Sequence, residues 1–186
     1  MTETLDFLRR RRSHPPRTLR GPAPSRSELA ELLTIAARVP DHGKLVPWRF
    51  VVLERATLDR LAPVLGDYVA ACGGDEAAVA KARDAFGSPV IVAVVSSPLA
   101  GHKVPEWEQF LSAGAVCLSL LNAALASGWG ASWLSGRASD ADFAQAHLGL
   151  GPNERVAGFI HIGTRGGSDI PDRPRPDVAA ITSFLP

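Results

Sequence analysis

Two patterns of apolar residues alternate along this chain: residues spaced by one helical turn, and short runs that are apolar at every position. The first pattern predicts a short helix over Glu3–Arg11, which the following prolines must end. Ser25 and Glu28 have the Ser-x-x-Glu spacing of a capping box, which predicts a second helix from about Ser25 to Arg38. Further helices are predicted at Ala56–Ala71, Glu76–Phe86, Trp107–Ser127 and Asp140–Leu148.

The second pattern predicts strands at Trp48–Leu53, Pro89–Val95, Gly130–Leu134 and Val156–Ile162. Pro89–Val95 is apolar throughout, which indicates a central strand. Trp107–Ser127 has no charged residue after Glu108, so we expect this helix in a core or a subunit interface. Helices separate the short strands, which favours an α+β sandwich with a central mixed sheet. From Gly166 to Pro186 we expect an irregular tail, either packed as an extended arm or loose.

The length of 186 residues fits one domain over residues 1–186. A hydrophobic share of 46% and a charged share of 21% are typical of a soluble globular protein. The net charge of +1 argues against a nucleic-acid or membrane partner. We find no apolar run typical of a signal peptide or a membrane span, so we expect a cytoplasmic protein. Cys72 and Cys117 lack metal-ligand spacing and are expected to be reduced and buried.

The first twenty positions hold Arg9–Arg12, Arg17 and Arg20 in a chain that is otherwise nearly neutral. A guanidinium group can bind a phosphate through two hydrogen bonds, and the hydroxyl of Ser13 can bind a further oxygen. The cluster therefore suits an anion. The same composition is about equally typical of a solvated basic surface or a weak nucleic-acid patch, so it leaves both interpretations open.

Two loops carry further candidate residues. In Asp41–Lys44, His42 and Lys44 could contact a ligand, although the turn-forming habit of Asp and Gly favours a plain capped turn. Ser127–Gly136 combines two tryptophans with small residues that let a planar ligand approach the backbone. Taken alone, a tight turn with core tryptophans is the better interpretation. The histidines lack metal-ligand spacing, so no metal is predicted, and no dinucleotide fingerprint, phosphate-binding loop or nucleophile elbow occurs.

In their order and spacing, segments along nearly the whole chain resemble the nitroreductase family, in particular a short, compact branch of bacterial NAD(P)H-dependent FMN proteins. The segments that carry the resemblance are Arg11-Arg12-Ser13, Ala37–His42, Pro47–Val52, His102–Gln109, Ser112–Ala115, Gly128-Trp129-Gly130, Trp133–Gly136 and Gly158–Thr164.

The resemblance implies a three-layer α+β fold, in which helices flank a central mixed, mainly antiparallel sheet. It also implies a homodimer with two FMN sites at the subunit interface, each built from both chains. Arg11, Arg12 and Ser13 would hold the phosphate and ribityl end of FMN from one subunit. Arg38 and His42 would approach the same FMN from the other subunit.

The resemblance further implies that Trp133, Leu134 and Ser135 line the isoalloxazine ring. FMN would carry the chemistry, so no catalytic side chain is predicted. NAD(P)H would deliver hydride to flavin N5, and a nitroaromatic, a quinone or a related small molecule would then be reduced in a ping-pong cycle. Arg38 or Lys44 would stabilise negative charge on the reduced flavin. The residues implied to meet the nicotinamide are Ala123, Ala124, Leu125, Ala126, Ser127 and Gly128.

Two positions depart from the family pattern. Val46 stands where many relatives carry glutamine, and Leu134 stands where close relatives carry arginine. A phosphate or cofactor contact is lost with that arginine, and Arg173 or Arg175 in the tail are candidates to replace it. Two other hypotheses stay open at this point. One is a non-catalytic flavin- or nucleotide-binding protein that retains the fold, and the other is a nucleic-acid-binding protein, which the near-neutral charge disfavours.

Overall fold

The computed structural model describes residues 2–167 and 170–185. Ser168, Asp169 and Pro186, which belong to the predicted tail, lie outside the described residues. The α-helices are α1 (Glu3–Arg10), α2 (Arg26–Ala36), α3 (Arg55–Ala71), α4 (Glu76–Asp84), α5 (Glu106–Ala126) and α6 (Ala141–Leu148). The strands are β1 (Leu19–Arg20), β2 (Trp48–Glu54), β3 (Val90–Ser96), β4 (Gly130–Leu134) and β5 (Arg155–Arg165). Short turns of 3-10 helix lie at Pro16–Thr18, His42–Lys44, Arg137–Ser139 and Ala179–Ile181.

The sheet is built around β3, which lies between β2 and β5. β5 also pairs with β4 and, at its C-terminal end, with β1. All of these described pairs are antiparallel, so the sheet that we expected to be mixed is antiparallel within this part of the chain. Every residue of β3 is buried, as predicted for the central strand.

Helices cover both faces of this sheet and produce the expected three layers. Successive side chains of a strand point to opposite faces, so alternate residues of β3 enter two separate cores. Val90, Val92 and Val94 pack with residues of α2 and α5, whereas Ile91, Ala93 and Val95 pack with residues of α3, α4 and α6. The continuous apolar run of β3 therefore arises because both of its faces are buried.

The start of α2 is the capping box predicted from the sequence. The Ser25 hydroxyl accepts a hydrogen bond from the Glu28 backbone N–H at 3.3 Å, and the Ser25 backbone N–H donates to the Glu28 carboxylate at 2.8 Å. These two bonds satisfy N–H groups that have no partner within the helix. The helix ends at Ala36, two residues before the predicted end.

The long apolar helix α5 packs between α2 and the sheet, in agreement with the prediction of a core position. Its length and hydropathy alone would also suit a membrane span, but just over half of its most apolar window is buried inside the fold. Trp107, Leu111 and Leu118 are exposed on its outer side. α5 is thus a core helix that also presents apolar side chains at the surface.

Two features differ from the sequence-based expectations. β1 was not predicted, because a strand of two residues has no detectable periodicity. Cys72 is exposed instead of buried, because it follows the last residue of α3 and lies beyond the buried Val69. Cys117 is buried in α5 as expected, and both cysteines are free thiols.

Candidate functional site

The arginine-rich segment leaves the end of α1 and runs beside β4. Arg11 has an extended backbone conformation (φ −57°, ψ 136°), which ends the helix. Three residues later, the His14 backbone N–H donates a hydrogen bond to the Ala131 carbonyl oxygen at 2.8 Å. The helix thus ends within the arginine cluster. One backbone hydrogen bond then holds Arg11, Arg12 and Ser13 next to β4, the strand that contains Trp133.

A cavity of about 520 Å³ lies beside this segment. Arg10, Arg11 and Arg12 line it, together with Arg165 from the end of β5. Arg165 is held in place because its guanidinium group donates to the carbonyl oxygens of Leu125 (2.9 Å) and Trp129 (3.2 Å). We call this space the arginine cavity. Its lining residues are Glu3, Asp6, Phe7, Arg10, Arg11, Arg12, His14, Leu125, Arg165 and Ile170.

The electrostatics of the arginine cavity favour an anion. The pKa of Arg11 lies below its usual value because burial disfavours the charge and because Arg175, Arg12 and Arg173 repel it. Nε of Arg11 is buried and has no hydrogen-bond partner among the described residues. The pKa of His14 is also lowered, first by burial and then by the charge of Arg165. An anion bound here would relieve this repulsion.

The C-terminal tail closes one side of the arginine cluster. Nη1 of Arg12 donates to the Asp172 carboxylate at 3.0 Å and to the Pro171 carbonyl oxygen. Nη2 of Arg175 contacts the same Asp172 oxygen at 2.9 Å. Residues 171–185 of the tail are exposed, but these contacts of Asp172 and Pro171 tie the tail to the arginine cluster and bring Arg173 and Arg175 within electrostatic reach of Arg11.

A second, larger cavity of about 830 Å³ lies between the α3–α4 pair and the loop that follows β4. We call it the ring cavity. Leu134 and Ser135 line it, as do Pro15 and Arg17 from the segment after the arginine cluster. His14 lines the arginine cavity and Pro15 lines the ring cavity, so the same segment passes both spaces. The other residues that line the ring cavity are Pro16, Leu65, Val69, Cys72, Gly73, Gly74, Ala78, Lys81, Ala82, Asp84, Ala85, Phe86, Gly136, Arg137, Ala138, Phe159 and His161.

Trp133 does not line the ring cavity, unlike its neighbours Leu134 and Ser135. Neighbouring side chains of β4 point to opposite faces of the sheet, so Trp133 turns toward the α5 side. Its indole packs against Gly158, where a Cβ atom would lie only 2.0 Å from Nε1. Gly158 is therefore required for this close approach. Trp133 does not line the ring cavity of the single chain, and its contact with the flavin remains a prediction.

The loop with Arg38, His42 and Lys44 lines neither cavity, and these three side chains are exposed. Nδ1 of His42 lies 2.7 Å from the Glu108 carboxylate, which ties the loop to α5. The approach of Arg38 and His42 to FMN from another subunit, and the role of Lys44 beside a reduced flavin, therefore remain predictions.

The same loop is held in an unusual backbone conformation. Lys44 and Val46 have positive φ angles of 55° and 49°, which side chains with a Cβ atom rarely adopt. The Asp41 carboxylate accepts hydrogen bonds from the backbone N–H groups of Leu45 (3.1 Å) and Val46 (2.8 Å) and so stabilises this shape. Such strain is most frequent at binding sites.

The stretch predicted to meet the nicotinamide is only partly accessible. Ala123, Ala124 and Leu125 are buried at the end of α5, with at most 6% of each side chain exposed. Ala126, Ser127 and Gly128 are exposed. Leu125 lines the arginine cavity and Ala123 lines the apolar groove beside α1 and α2, so a ligand can reach these two residues besides the exposed second half of the stretch.

Several side chains of the two cavities were missed by sequence reasoning. Arg165 and His14 line the arginine cavity, and Lys81 and His161 line the ring cavity. His161 offered one signal, since it is a histidine within an otherwise apolar strand. His14 directly follows the predicted segment Arg11-Arg12-Ser13, whereas Arg165 and Lys81 come from distant elements and carry no local pattern. Within residues 2–167 and 170–185, no group of three or more His, Cys, Asp or Glu side chains gathers to hold a metal ion.

A cation-lined cavity and a largely apolar cavity along one segment suit a protein that binds a planar ligand with an anionic end. Comparison with known proteins agrees with this class. The model of the nitroreductase family matches residues 8–164. The chain is 36% identical to the protein named "Putative NAD(P)H nitroreductase YdjA" of Escherichia coli K12 over 163 residues, which cover 87% of this chain and 88% of that protein.

A Haemophilus influenzae protein with the corresponding name is 34% identical over 165 residues, covering 87% of this chain and 88% of that protein. The fold is that of a solved nitroreductase with bound FMN from Bacteroides fragilis, with a TM-score of 0.78 over the full length of both chains at 18% identity. The chain therefore belongs to the nitroreductase family.

Proposed function

We propose that this chain is an FMN-dependent oxidoreductase that takes electrons from NADH or NADPH and reduces small oxidised molecules such as nitroaromatic compounds or quinones. The observation that carries the proposal is the presence of two cavities along the segment His14-Pro15, one rich in arginine and one mostly apolar. Their contrast in polarity matches the two ends of FMN, a phosphate and a flat aromatic ring. The names of the relatives, which refer to NAD(P)H and to nitro-group reduction, support the same activity.

The phosphate end of FMN fits the arginine cavity. Arg11 has a buried guanidinium nitrogen without a partner, and its charge is repelled by Arg12, Arg173 and Arg175. A phosphate would satisfy that nitrogen and offset the repulsion, and the Ser13 hydroxyl, 3.4 Å from Arg11 Nη2, would bind a further oxygen. The tail arginines would thereby replace the cation that the chain lacks at Leu134.

The ring end fits the larger cavity, whose volume lies within the range of about 300–1,000 Å³ typical of small-molecule sites. Leu134 and Phe159 offer apolar surface to a flat ring. The cations at its rim are Arg17, Lys81 and Arg137. Arg137 is already paired with Asp140 at 2.9 Å, so Lys81 is the better-placed cation to stabilise negative charge on a reduced ring.

A second copy of the chain would complete the site. α1, α2 and α5 surround an apolar groove of about 700 Å³, which includes Leu8, Ile35 and Leu118. Exposed apolar patches of this kind are typical of protein interfaces. A homodimer formed through this surface is supported by the resemblance, and Arg38 and His42 are the residues that the partner subunit would bring to the flavin.

When bound, FMN supplies the acceptance and donation of hydride at its ring, which no side chain of this protein offers. The residues of the ring cavity would hold the ring. If NAD(P)H and the oxidised substrate reach the ring in turn, steady-state kinetics follow a ping-pong pattern. Leu125, which lines the arginine cavity, and the exposed residues Ala126, Ser127 and Gly128 are the part of the predicted nicotinamide segment that can contribute. The free thiols suit a cytoplasmic location.

Purified protein tests this proposal directly. We expect flavin absorbance in the visible range and FMN as the flavin released on denaturation. We also expect parallel lines in double-reciprocal plots when NAD(P)H and a nitroaromatic or quinone acceptor are varied together. A protein that binds no added FMN would refute the proposal. Bound FMN that neither NADH nor NADPH can reduce would instead indicate a non-catalytic flavin-binding protein.

A further inference from the structure

His161 is a buried polar side chain in the wall of the ring cavity. It lies in the centre of β5, opposite Ser132 of β4, and only 3% of its surface is exposed. The residues around it on the strand, Phe159, Ile160 and Ile162, are apolar and buried. The other polar residues that line the cavity within the described chain are exposed at its rim. His161 is thus the polar group of the buried wall.

One nitrogen of the imidazole is already satisfied. Nδ1 lies 2.9 Å from the Ser88 hydroxyl oxygen, and Ser88 is itself fully buried before β3. The hydrogen bond of the imidazole uses Nδ1, and Nε2 is not among the buried polar atoms that lack a partner in the described residues. His161 lines the ring cavity, so Nε2 is available to a ligand there.

The imidazole is neutral at physiological pH because burial lowers the pKa of His161 to about 4. The charged groups around the cavity are Arg17, Lys81, Asp84 and Arg137, and they lie at its exposed rim. A neutral imidazole carries one N–H. If the Ser88 hydroxyl donates to Nδ1, the hydrogen resides on Nε2, which can then donate to the contents of the cavity.

We propose that His161 binds the flavin ring: its Nε2–H donates a hydrogen bond to an acceptor on the polar edge of the ring, while Ser88 holds the imidazole in position. Ser88 is then a positioning residue that acts through His161. The inference rests on the proposed FMN function, and it assigns a contact to the ring that is independent of the phosphate contacts of Arg11 and Arg12.

Riboflavin, which has the ring but no phosphate, separates these two kinds of contact. Apoprotein is titrated with riboflavin and with FMN, and quenching of flavin fluorescence gives both dissociation constants. Loss of one hydrogen bond in His161→Phe should weaken both ligands by the same factor, about five- to tenfold. His161→Gln, which keeps an N–H donor, should recover most of the affinity. Arg11→Ala should weaken FMN and leave riboflavin unchanged.

Two readouts distinguish a ligand contact from a purely structural Ser88–His161 link. The flavin absorption band should shift in His161→Phe and return toward the wild-type position in His161→Gln. In wild-type protein labelled with ¹⁵N at histidine, the Nε2 resonance should have the chemical shift of a protonated nitrogen and should move when riboflavin is added. The resonance test needs no variant, so it decides the question even if His161→Phe does not fold.

Unchanged riboflavin affinity in a folded His161→Phe variant would overturn the proposal, and so would an Nε2 resonance that does not respond to riboflavin. In both cases wild-type protein still binds FMN, so the proposed function survives. Wild-type protein that fails to bind FMN refutes the proposed function itself, and the inference about His161 with it.

Discussion

The carboxylate of Asp172 lies 3.0 Å from Nη1 of Arg12, although 160 positions separate the two residues in sequence. The same carboxylate oxygen contacts Arg175 at 2.9 Å. An acidic side chain of the tail thus neutralises part of an arginine cluster that is otherwise suited to a phosphate. In the single chain, Asp172 occupies donors that the phosphate of FMN would use.

Asp172→Asn should strengthen FMN binding, because the phosphate no longer competes with a carboxylate for Arg12 and Arg175. The pair is exposed, so we expect a modest gain of about two- to fivefold in affinity, with riboflavin affinity unchanged. Asp177→Asn is the matched control, since Asp177 lies in the same tail but lines neither cavity. Weaker FMN binding in Asp172→Asn would show that the carboxylate orients the arginines for the phosphate.

Arg11→Ala should lower FMN affinity at least about tenfold, because a charge-assisted contact to the phosphate is lost. The fold should persist, since Arg11 is only partly buried and belongs to neither hydrophobic core. Arg60→Ala removes an exposed arginine of α3 that lines neither cavity, and it should leave FMN retention unchanged. Equal loss of flavin from both variants would indicate a general effect of charge and not a phosphate site.

The same substitution, leucine to aspartate, at Leu121 and at Leu118 tests the two roles of α5, as a core helix and as part of an apolar surface. Leu121 is buried in the core, so Leu121→Asp should cost at least about 3 kcal/mol in the free energy of unfolding or prevent folding. Leu118 is 47% exposed and lines the apolar groove, so Leu118→Asp should leave the subunit folded but shift a dimer toward monomer. Light scattering and thermal unfolding separate the two effects. A Leu118→Asp variant that remains dimeric would place the subunit interface elsewhere.

Glu154 should make the protein sensitive to strong acid. Its carboxylate accepts two hydrogen bonds from Arg49, at 2.7 and 2.6 Å. The Arg49 contacts outweigh the opposing effect of burial and lower the pKa of Glu154 to about 2. Because the folded-state pKa is below the unfolded value of about 4.5, this stabilisation is present above pH 4.5 and disappears as the pH falls toward 2.

Glu154→Gln should therefore destabilise the protein by about 2 kcal/mol at pH 7 in urea unfolding, and the difference from wild type should shrink between pH 4.5 and 2. Glu54→Gln removes the exposed Glu54–Arg26 pair instead and should have little effect at either pH. A Glu154→Gln difference that does not change with pH would mean that the ion pair is not its source.

Local sequence predicted most of the helices and strands. The limits of β4 agree with the prediction, and the capping box at Ser25 fixed the start of α2. β3 was predicted as central because its apolar run reflects burial on both faces. The short β1 was missed because it depends on pairing with residues 164 and 165 at the far end of the chain. Tertiary contact, and not local preference, creates that strand.

The candidate site also has one part that local sequence predicts and another that depends on the folded chain. Arg11, Arg12 and Ser13 are adjacent in sequence, so they could be proposed as an anion-binding segment from composition and resemblance. Arg165 and Arg175 reach that segment only through the folded chain, because β5 and the tail return to α1. The opposite orientations of Trp133 and Leu134 follow from the alternation of a strand, which the resemblance alone did not resolve.

Anaerobic reduction of the purified flavoprotein tests the central claim most directly. The absorbance of bound FMN is followed while NADH or NADPH is added without oxygen, and a nitroaromatic or quinone acceptor is added afterwards. We predict that one of the nicotinamides bleaches the flavin absorbance and that the acceptor restores it. Absorbance that persists with both nicotinamides, or bleached flavin that no acceptor reoxidises, would contradict the account.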